Sequence, residues 1–257
     1  MKETLLYDCY RSLRFGRPLM WRRRELEFYR SLLCQRPKEM LVFDIGANRG
    51  QRTRLFLKLG ARVVALEPDP SNQRLLARRF SRQWFRKPAV MIVGKAVSDS
   101  DAGATLWVHS PGSGLNTLSQ KWVQTLAVDD RRFGSTIEFA GQRRVETTTL
   151  DSLMGIFGDP YYIKVDVEGH EAGVLKGLKR PVPFLSFEVI LPEFLDEGVE
   201  CVGILGRLSE SGVFNWSVDC QNPMVLDKWL PGPEFAAALR RCGETSVEVF
   251  WMNPQAS

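Results

Sequence analysis

The stretch from Leu41 to Glu67 leaves few options for the chain around it. Leu41, Val42, Phe43 and Ile45 form an apolar run broken by one acid, Asp44, and Gly46 and Gly50 then bracket Ala47, Asn48 and Arg49. Leu55, Phe56 and Leu59 follow at helical spacing, and a second apolar run, RVVAL, ends at Glu67. Strand, glycine turn, helix and strand open a parallel βαβ unit, which holds a nucleotide-like ligand at its strand ends. A unit of this kind commits the chain to a largely parallel sheet with helices on both faces.

The turn also narrows the ligand. Glycines let a ligand approach the backbone without a Cβ in the way, and the first N–H groups of the next helix favour an anionic group. An acid at the strand end is useful only if the ligand also carries positive charge or donors. Carboxylate, ammonium and sulfonium together describe S-adenosylmethionine (SAM) better than a pyrophosphate. The spacing D-x-G-x-N-x-G is not the G-x-G-x-x-G of dinucleotide binders, so a nicotinamide dehydrogenase ranks last. Glu67 stands 23 positions after Asp44, the offset at which an acid on the second strand tip accepts from both ribose hydroxyls. The plain alternatives are a tight turn and a helix-initiating acid before Pro68-Asp69-Pro70.

A chain of 257 residues, 44% hydrophobic and 25% charged, suits one α/β domain with an appendage. Residues 1–38 read as an N-terminal helical cap, with Leu5, Leu6, Cys9 and Leu13, then Leu26, Tyr29, Leu32 and Leu33, at helical spacing around Gly16 and Pro18. Residues 39–257 form the main domain. Net charge +5 admits nucleic acid as a partner without requiring it. No run approaches the ~18 apolar residues of a membrane span, and the N-terminus lacks a secretory pattern. Five scattered cysteines (Cys9, Cys34, Cys201, Cys220, Cys242) with no C-x-x-C argue against a zinc ribbon and for reduced thiols in a cytoplasmic protein.

From Met40 onward strands and helices alternate. Strands are predicted at 40–45, 62–67, 89–97, 161–166, 184–189, near 213–219 and at 246–252, and helices at 51–59, 71–85, 149–157, 171–178, 196–211 and 232–241. A β-rich insertion over 105–149 interrupts them; its His109, Asn116 and glycine-rich turn 110–114 are placed over the ligand site. Asp44, Glu67, Asp99, Asp166 and Glu188 all fall at predicted strand ends, where a parallel sheet binds its ligands.

Six blocks carry a resemblance: FDIGANRGQ at 43–51, ALEPDP at 65–70, KAVSD at 95–99, TLDSL at 149–153, IKVDVEGHE at 163–171 and LSFEV at 185–189. In kind and order they resemble the FkbM-type family of SAM-dependent methyltransferases. The resemblance implies a class I methyltransferase fold, Rossmann-like, with seven strands in the order 3-2-1-4-5-7-6 and the last antiparallel. Arg49 departs from it, since a small or aliphatic residue is usual there.

The resemblance and the strand ends together assign roles. Asp44, Gly46, Asn48 and Gly50 face the methionine part of SAM; Glu67, with Pro68, holds the ribose; Ser98 and Asp99 receive the adenine. Asp166 orders the SAM amino group or a substrate group. Glu168 and His170 complete a catalytic set with Asp166, His170 being the natural base for a hydroxyl near neutral pH. Glu171 and Glu168 also suit a helix N-terminus. Asp166, Glu168 and Glu188 are hard oxygen donors that would suit a divalent metal, an alternative not required by the cofactor. The absence of an N-P-P-aromatic block after the fourth strand disfavours nucleobase amines, so O-methylation of a small molecule or sugar is expected. Competing functions are an RNA methyltransferase using Arg22–Arg24, Arg78, Arg79, Arg82 and Arg86, and a non-catalytic binding protein on the same fold.

Overall fold

The computed structural model describes residues 19–33, 37, 39–81 and 89–256. The helical pattern over residues 5–18, together with Cys34, Arg82, Trp84 and Arg86, lies outside them. Helix α1 spans Leu19–Leu32. Then come β1 (Leu41–Ile45), α2 (Gln51–Lys58), β2 (Arg62–Leu66), α3 (Pro70–Phe80), β3 (Val90–Val93), β4 (Ala96–Val97), β5 (Gly103–Val108), α4 (Gln120–Val128) and β6 (Gly141–Thr148). The second half runs α5 (Leu150–Phe157), β7 (Tyr162–Val165), α6 (Glu171–Lys176), β8 (Phe184–Ile190), α7 (Leu195–Leu208), β9 (Val213–Ser217), β10 (Leu230–Pro231), α8 (Gly232–Leu239) and β11 (Ser246–Met252).

The main sheet has the order β10-β9-β11-β8-β7-β1-β2-β3. β1 pairs in parallel with β2 and β7, β2 with β3, and β7 with β8. β11 runs antiparallel between β8 and β9. Without β10 this is the expected seven-strand order with its last strand reversed, the class I methyltransferase sheet. The two-residue β10 adds an antiparallel edge beyond β9.

Alternation along the strands sorts the core into two layers. Phe43, Val64, Ile163, Leu185 and Phe187 face α5–α8. Val42, Val63, Tyr162 and Phe250 face α1 and α2. Tyr29 of α1 is fully buried in this second layer, edge-on to Phe56 with ring centroids 5.4 Å apart, so α1 shares the main core.

The second layer also carries a buried polar row, because Asp44, Lys164, Ser186 and Glu248 have the same parity as those apolar residues. Lys164 is 1% exposed. Its Nζ donates to Glu248 Oε2 at 3.2 Å and to Asp166 Oδ2 at 3.1 Å. Burial alone would lower the lysine pKa, but Asp166 and Glu248 reverse the balance and hold it well above its ordinary value. Ser186 Oγ donates to Glu248, and Tyr162 shares a hydrogen bond with Ser186. A buried charge is tolerable only when paired in this way.

The region predicted as one strand at 89–97 is two. β3 ends at Val93, and after Gly94 the chain turns so that β4 joins a separate sheet, β4-β6-β5. The insertion is not all β: Ser119 caps α4 by accepting from Trp122 N, and the helix buries Trp122 and Leu126 against Ile190 and Phe194. No described helix is long and apolar enough to cross a membrane.

Candidate active site

One cavity opens at the carboxyl ends of β1, β2 and β7. The turn after β1 folds over the tip of β2, since both Gly46 N and Ala47 N donate to Leu66 O, at 3.1 and 2.9 Å. Gly46 has φ +80, and a Cβ on it would lie 1.9 Å from the Asp166 carbonyl oxygen. Only glycine lets these two strand ends meet. Asn48 takes a left-handed φ of 47, a conformation its side chain tolerates better than most.

That turn aims a donor at Glu67. Asn48 N donates to Glu67 Oε2 at 2.8 Å, and Asp69 N donates to Oε1 at 2.7 Å. Both oxygens are fixed, yet each keeps acceptor capacity, and Glu67 lines the cavity with Pro68 and Asn48. Burial pushes its pKa up to about 7 against the pull of the two backbone donors. Asn48 Oδ1 is buried without a hydrogen-bond partner.

Asp166, Val167 and Glu168 form the facing wall. Lys164 restrains the Asp166 carboxylate from below. Glu168 has φ 56, and its carbonyl accepts from Thr117 Oγ1 at 2.8 Å. Burial, then Glu188 and Asp166, drive the Glu168 pKa well upward; burial, then Asp166 and Glu171, lift Glu188 to about 8. Glu171 turns away from the cavity and accepts from Val167 N and Gly169 N at 3.1 and 3.3 Å. It braces the turn at the start of α6.

The insertion closes the cavity from above. Asp69 Oδ1 caps α3 by accepting from Ser71 N, while Oδ2 accepts from Gly112 N and Asn116 Nδ2, each at 2.7 Å. Asn116 Oδ1 accepts from His109 N at 3.0 Å. Arg49 donates to Gly112 O at 3.4 Å, so the residue that departs from the resemblance helps to fasten the roof.

Several predicted site residues lie elsewhere. Asp44 is 2% exposed and accepts from Thr53 Oγ1 of α2; burial raises its pKa to about 6. It buttresses the turn and is not in the cavity lining. Gly50 is likewise set back, where a Cβ would collide with Leu76 and Phe80 at 2.6 and 2.8 Å. Ser98 and Asp99 are carried out of the lining by the break after β3, and Lys95, Ala96 and Val97 line the cavity instead. His170 also stands outside: its Nε2 is 3.0 Å from Ser98 Oγ, its ring fills the space beside Gly173, and burial lowers its pKa. The structure brings together Gly46, Asn48, Glu67, Pro68, Asp166 and Glu168. Asp69 and Thr117 escaped sequence reasoning, because a turn aspartate and a loop threonine look alike with or without a roof to hold.

The donor set fits SAM. A fixed carboxylate on the second strand suits a diol, the orphaned Asn48 Oδ1 needs a donor, and the Asp166 carboxylate opposite suits an ammonium.

The profile of the methyltransferase FkbM domain matches residues 44–210. Hexuronic acid methyltransferase AglP of Haloferax volcanii is 26% identical over 200 residues, 75% of this chain and 72% of that protein. Among solved structures, precorrin-6y C5,15-methyltransferase of Geobacter metallireducens aligns over 90% of this chain and 86% of its own, with TM-score 0.45 and 10% identity. A TehB-like SAM-dependent methyltransferase of Corynebacterium glutamicum aligns over 90% and 87%, with TM-score 0.41 and 11% identity.

Proposed function

Because the chain belongs to the methyltransferase FkbM domain family, and is thus a SAM-dependent methyltransferase, we propose that it methylates a hydroxyl oxygen of a sugar. The observation that carries this reading is the pair of walls in one cavity: Glu67, locked by two backbone donors, faces Asp166 and Glu168. The relative that acts on a hexuronic acid supports a carbohydrate acceptor. A cytoplasmic setting is proposed with it, in keeping with free Cys201, Cys220 and Cys242.

SAM supplies an electrophilic methyl group on a sulfonium and departs as a neutral thioether. Glu67 and Asn48 would hold the ribose and fix the depth of the cofactor. Asp166, kept in place by Lys164, would receive its ammonium. Transfer to a hydroxyl releases one proton, and Asp166 and Glu168 are the carboxylates on the cavity wall that would take it. The roof over 109–117 would exclude water and bring the acceptor to near-attack distance. His170, paired with Ser98, is assigned to packing the turn rather than to the proton.

The test is calorimetric titration with S-adenosylhomocysteine, followed by a methyl-transfer assay over a panel of uronic acids and neutral sugars. Saturable binding that is lost in Glu67→Ala, with turnover on a sugar panel member, is the expected result. Binding with turnover only on RNA or on amines would overturn the acceptor assignment.

A further inference from the structure

The start of α4 meets Glu168 at two points. The Glu168 backbone stands at φ 56, a strained conformation that persists only where the surroundings impose it. Thr117 Oγ1 donates to its carbonyl at 2.8 Å and accepts from Ser119 N at 2.8 Å. Ser119 caps α4 by accepting from Trp122 N at 3.2 Å, and Trp122, fully buried, turns its indole back toward the Glu168 carboxylate. Two atoms there are unfinished: Trp122 Nε1 and Glu168 Oε2 are both sealed from solvent without a partner at hydrogen-bonding geometry. The first can only donate, and the second accepts when ionised. Buried groups left in this state are uncommon and costly. The indole is fixed in place, with Phe194 edge-on at 5.7 Å and the Arg132 guanidinium over its ring at 5.5 Å. Phe194 in turn fills the space beside Gly169, where a Cβ would collide with it at 2.5 Å, and Arg132 is anchored by Leu191 O and Glu193.

We infer that Trp122 is a positioning residue for Glu168: its indole N–H closes on Oε2 when the carboxylate is ionised and leaves the other oxygen to the acceptor hydroxyl. From the remaining elements Glu168 faces Asp166 at the end of β7, Glu188 of β8 and Glu171 of α6, and these carboxylates together with burial favour its protonated form. The protonated acid leaves the indole idle. A donor to the ionised form opposes burial and the three acids, and so restores a base on the cavity wall. That base takes the hydroxyl proton as the oxygen–methyl bond forms and the sulfur–methyl bond breaks, and the indole is released. The insertion thereby does more than exclude water, since its helix sets the geometry of a residue on the opposite wall. This inference rests on the methyl-transfer reading for the consequence of the contact, though not for the contact.

The contact is read by proton–nitrogen correlation NMR of the full chain, isotope-labelled at its seven tryptophans, as pH is raised in steps. One indole peak should move downfield as Glu168 ionises, stay fixed in Glu168→Gln, and be the peak missing from Trp122→Phe. In the methyl-transfer assay Trp122→Phe, which keeps an aromatic ring and removes the N–H, should lower kcat about ten-fold near neutral pH. The acceptor KM and S-adenosylhomocysteine affinity should not change. The loss should shrink as pH rises, because the acid limb of the profile moves up by about one pH unit; a role in packing alone would lower the rate alike at every pH. No titrating indole peak, or one that titrates identically in Glu168→Gln, overturns the contact whether or not Trp122→Phe folds. A Trp122→Phe enzyme with the parent's rate and pH profile overturns the positioning role. A titrating peak in a chain that turns over no acceptor would instead strike the methyl-transfer reading and leave the contact standing.

Discussion

Asn116 Nδ2 donates to Asp69 Oδ2 across 2.7 Å, and this contact ties the roof of the cavity to the turn that positions Glu67. The same oxygen accepts from Gly112 N, and Asp69 N donates back to Glu67. The Glu67 wall and the roof therefore share one residue. A roof held by side-chain bonds can open without disturbing the sheet, which suits a site that must admit two substrates.

Asp69→Ala removes the α3 cap and both roof bonds at once. The cap alone is worth about 1 kcal/mol and each net hydrogen bond about 1, so the unfolding midpoint should fall by several degrees. Asn116→Ala removes only part of the roof and should raise the acceptor KM while leaving S-adenosylhomocysteine affinity nearly unchanged. If Asn116→Ala weakens cofactor and acceptor equally, the roof is part of the cofactor wall.

Glu67 gives a pH signature. Burial lifts its pKa from 4.5 to about 7. An acid whose folded pKa is raised contributes stability that is fully present below its unfolded pKa and is lost as pH rises through the folded value. The window is therefore pH 4.5 to 7, with a loss of about 3 kcal/mol from this group across it. A ligand diol donating to the carboxylate favours its ionised form, so S-adenosylhomocysteine should bind more tightly as pH rises from 6 to 8. Glu67→Gln should flatten both curves. An unchanged binding profile in that variant would place the pH dependence elsewhere.

Gly46→Ala brings a Cβ to 1.9 Å from the Asp166 carbonyl oxygen, and the obstacle is backbone in both strands' connections. Overpacking and strain at a positive φ each cost about 1–3 kcal/mol. Chemical denaturation should report a loss in that range or above, together with lost cofactor binding. Gly60→Ala, at a similar φ of +86 but with open space around it, is the control that isolates backbone strain from collision. Equal losses in the two variants would mean that the Asp166 contact is irrelevant.

The fold was legible because its signals are periodic and local. The βαβ start, the alternation of β7 and β8, and the closing β11 are set by runs whose spacing admits one interpretation. The shape of the cavity was legible where the backbone dictates it: Asn48, inside the Gly46–Gly50 turn, and Glu67, at the tip of the next strand, meet through Asn48 N and Glu67 Oε2. Asp44 stands outside the cavity lining because strand parity turns its side chain toward Thr53. Ser98 and Asp99 stand outside the cavity lining because after Gly94 the chain passes to another sheet, which nothing in AVMIVGKAV announces. The roof depended on contacts between Asp69, Gly112 and Asn116, up to 47 positions apart, and a single sequence holds no record of such pairs. His170 drew interest for its chemistry, but an imidazole also packs well against a glycine such as Gly173.

That histidine allows a decisive comparison with the polar row beneath the cavity. Lys164 is buried and balances Asp166 and Glu248, so Lys164→Met strands two carboxylates. Breaking a buried pair costs about 3–5 kcal/mol, and the variant should unfold at markedly lower denaturant. Adding Glu248→Gln should recover part of the loss, since it removes one of the stranded charges. His170→Gln keeps a hydrogen-bonding side chain for Ser98 and touches no cavity wall, so kcat should fall no more than a few-fold, with an unaltered pH profile. Asp166→Asn, by contrast, removes a charge from the wall and should depress kcat/KM by about a hundred-fold or more. A collapse of kcat in His170→Gln, with stability and S-adenosylhomocysteine binding intact, would return the histidine to the reaction and require the turn after β7 to rearrange when the acceptor binds.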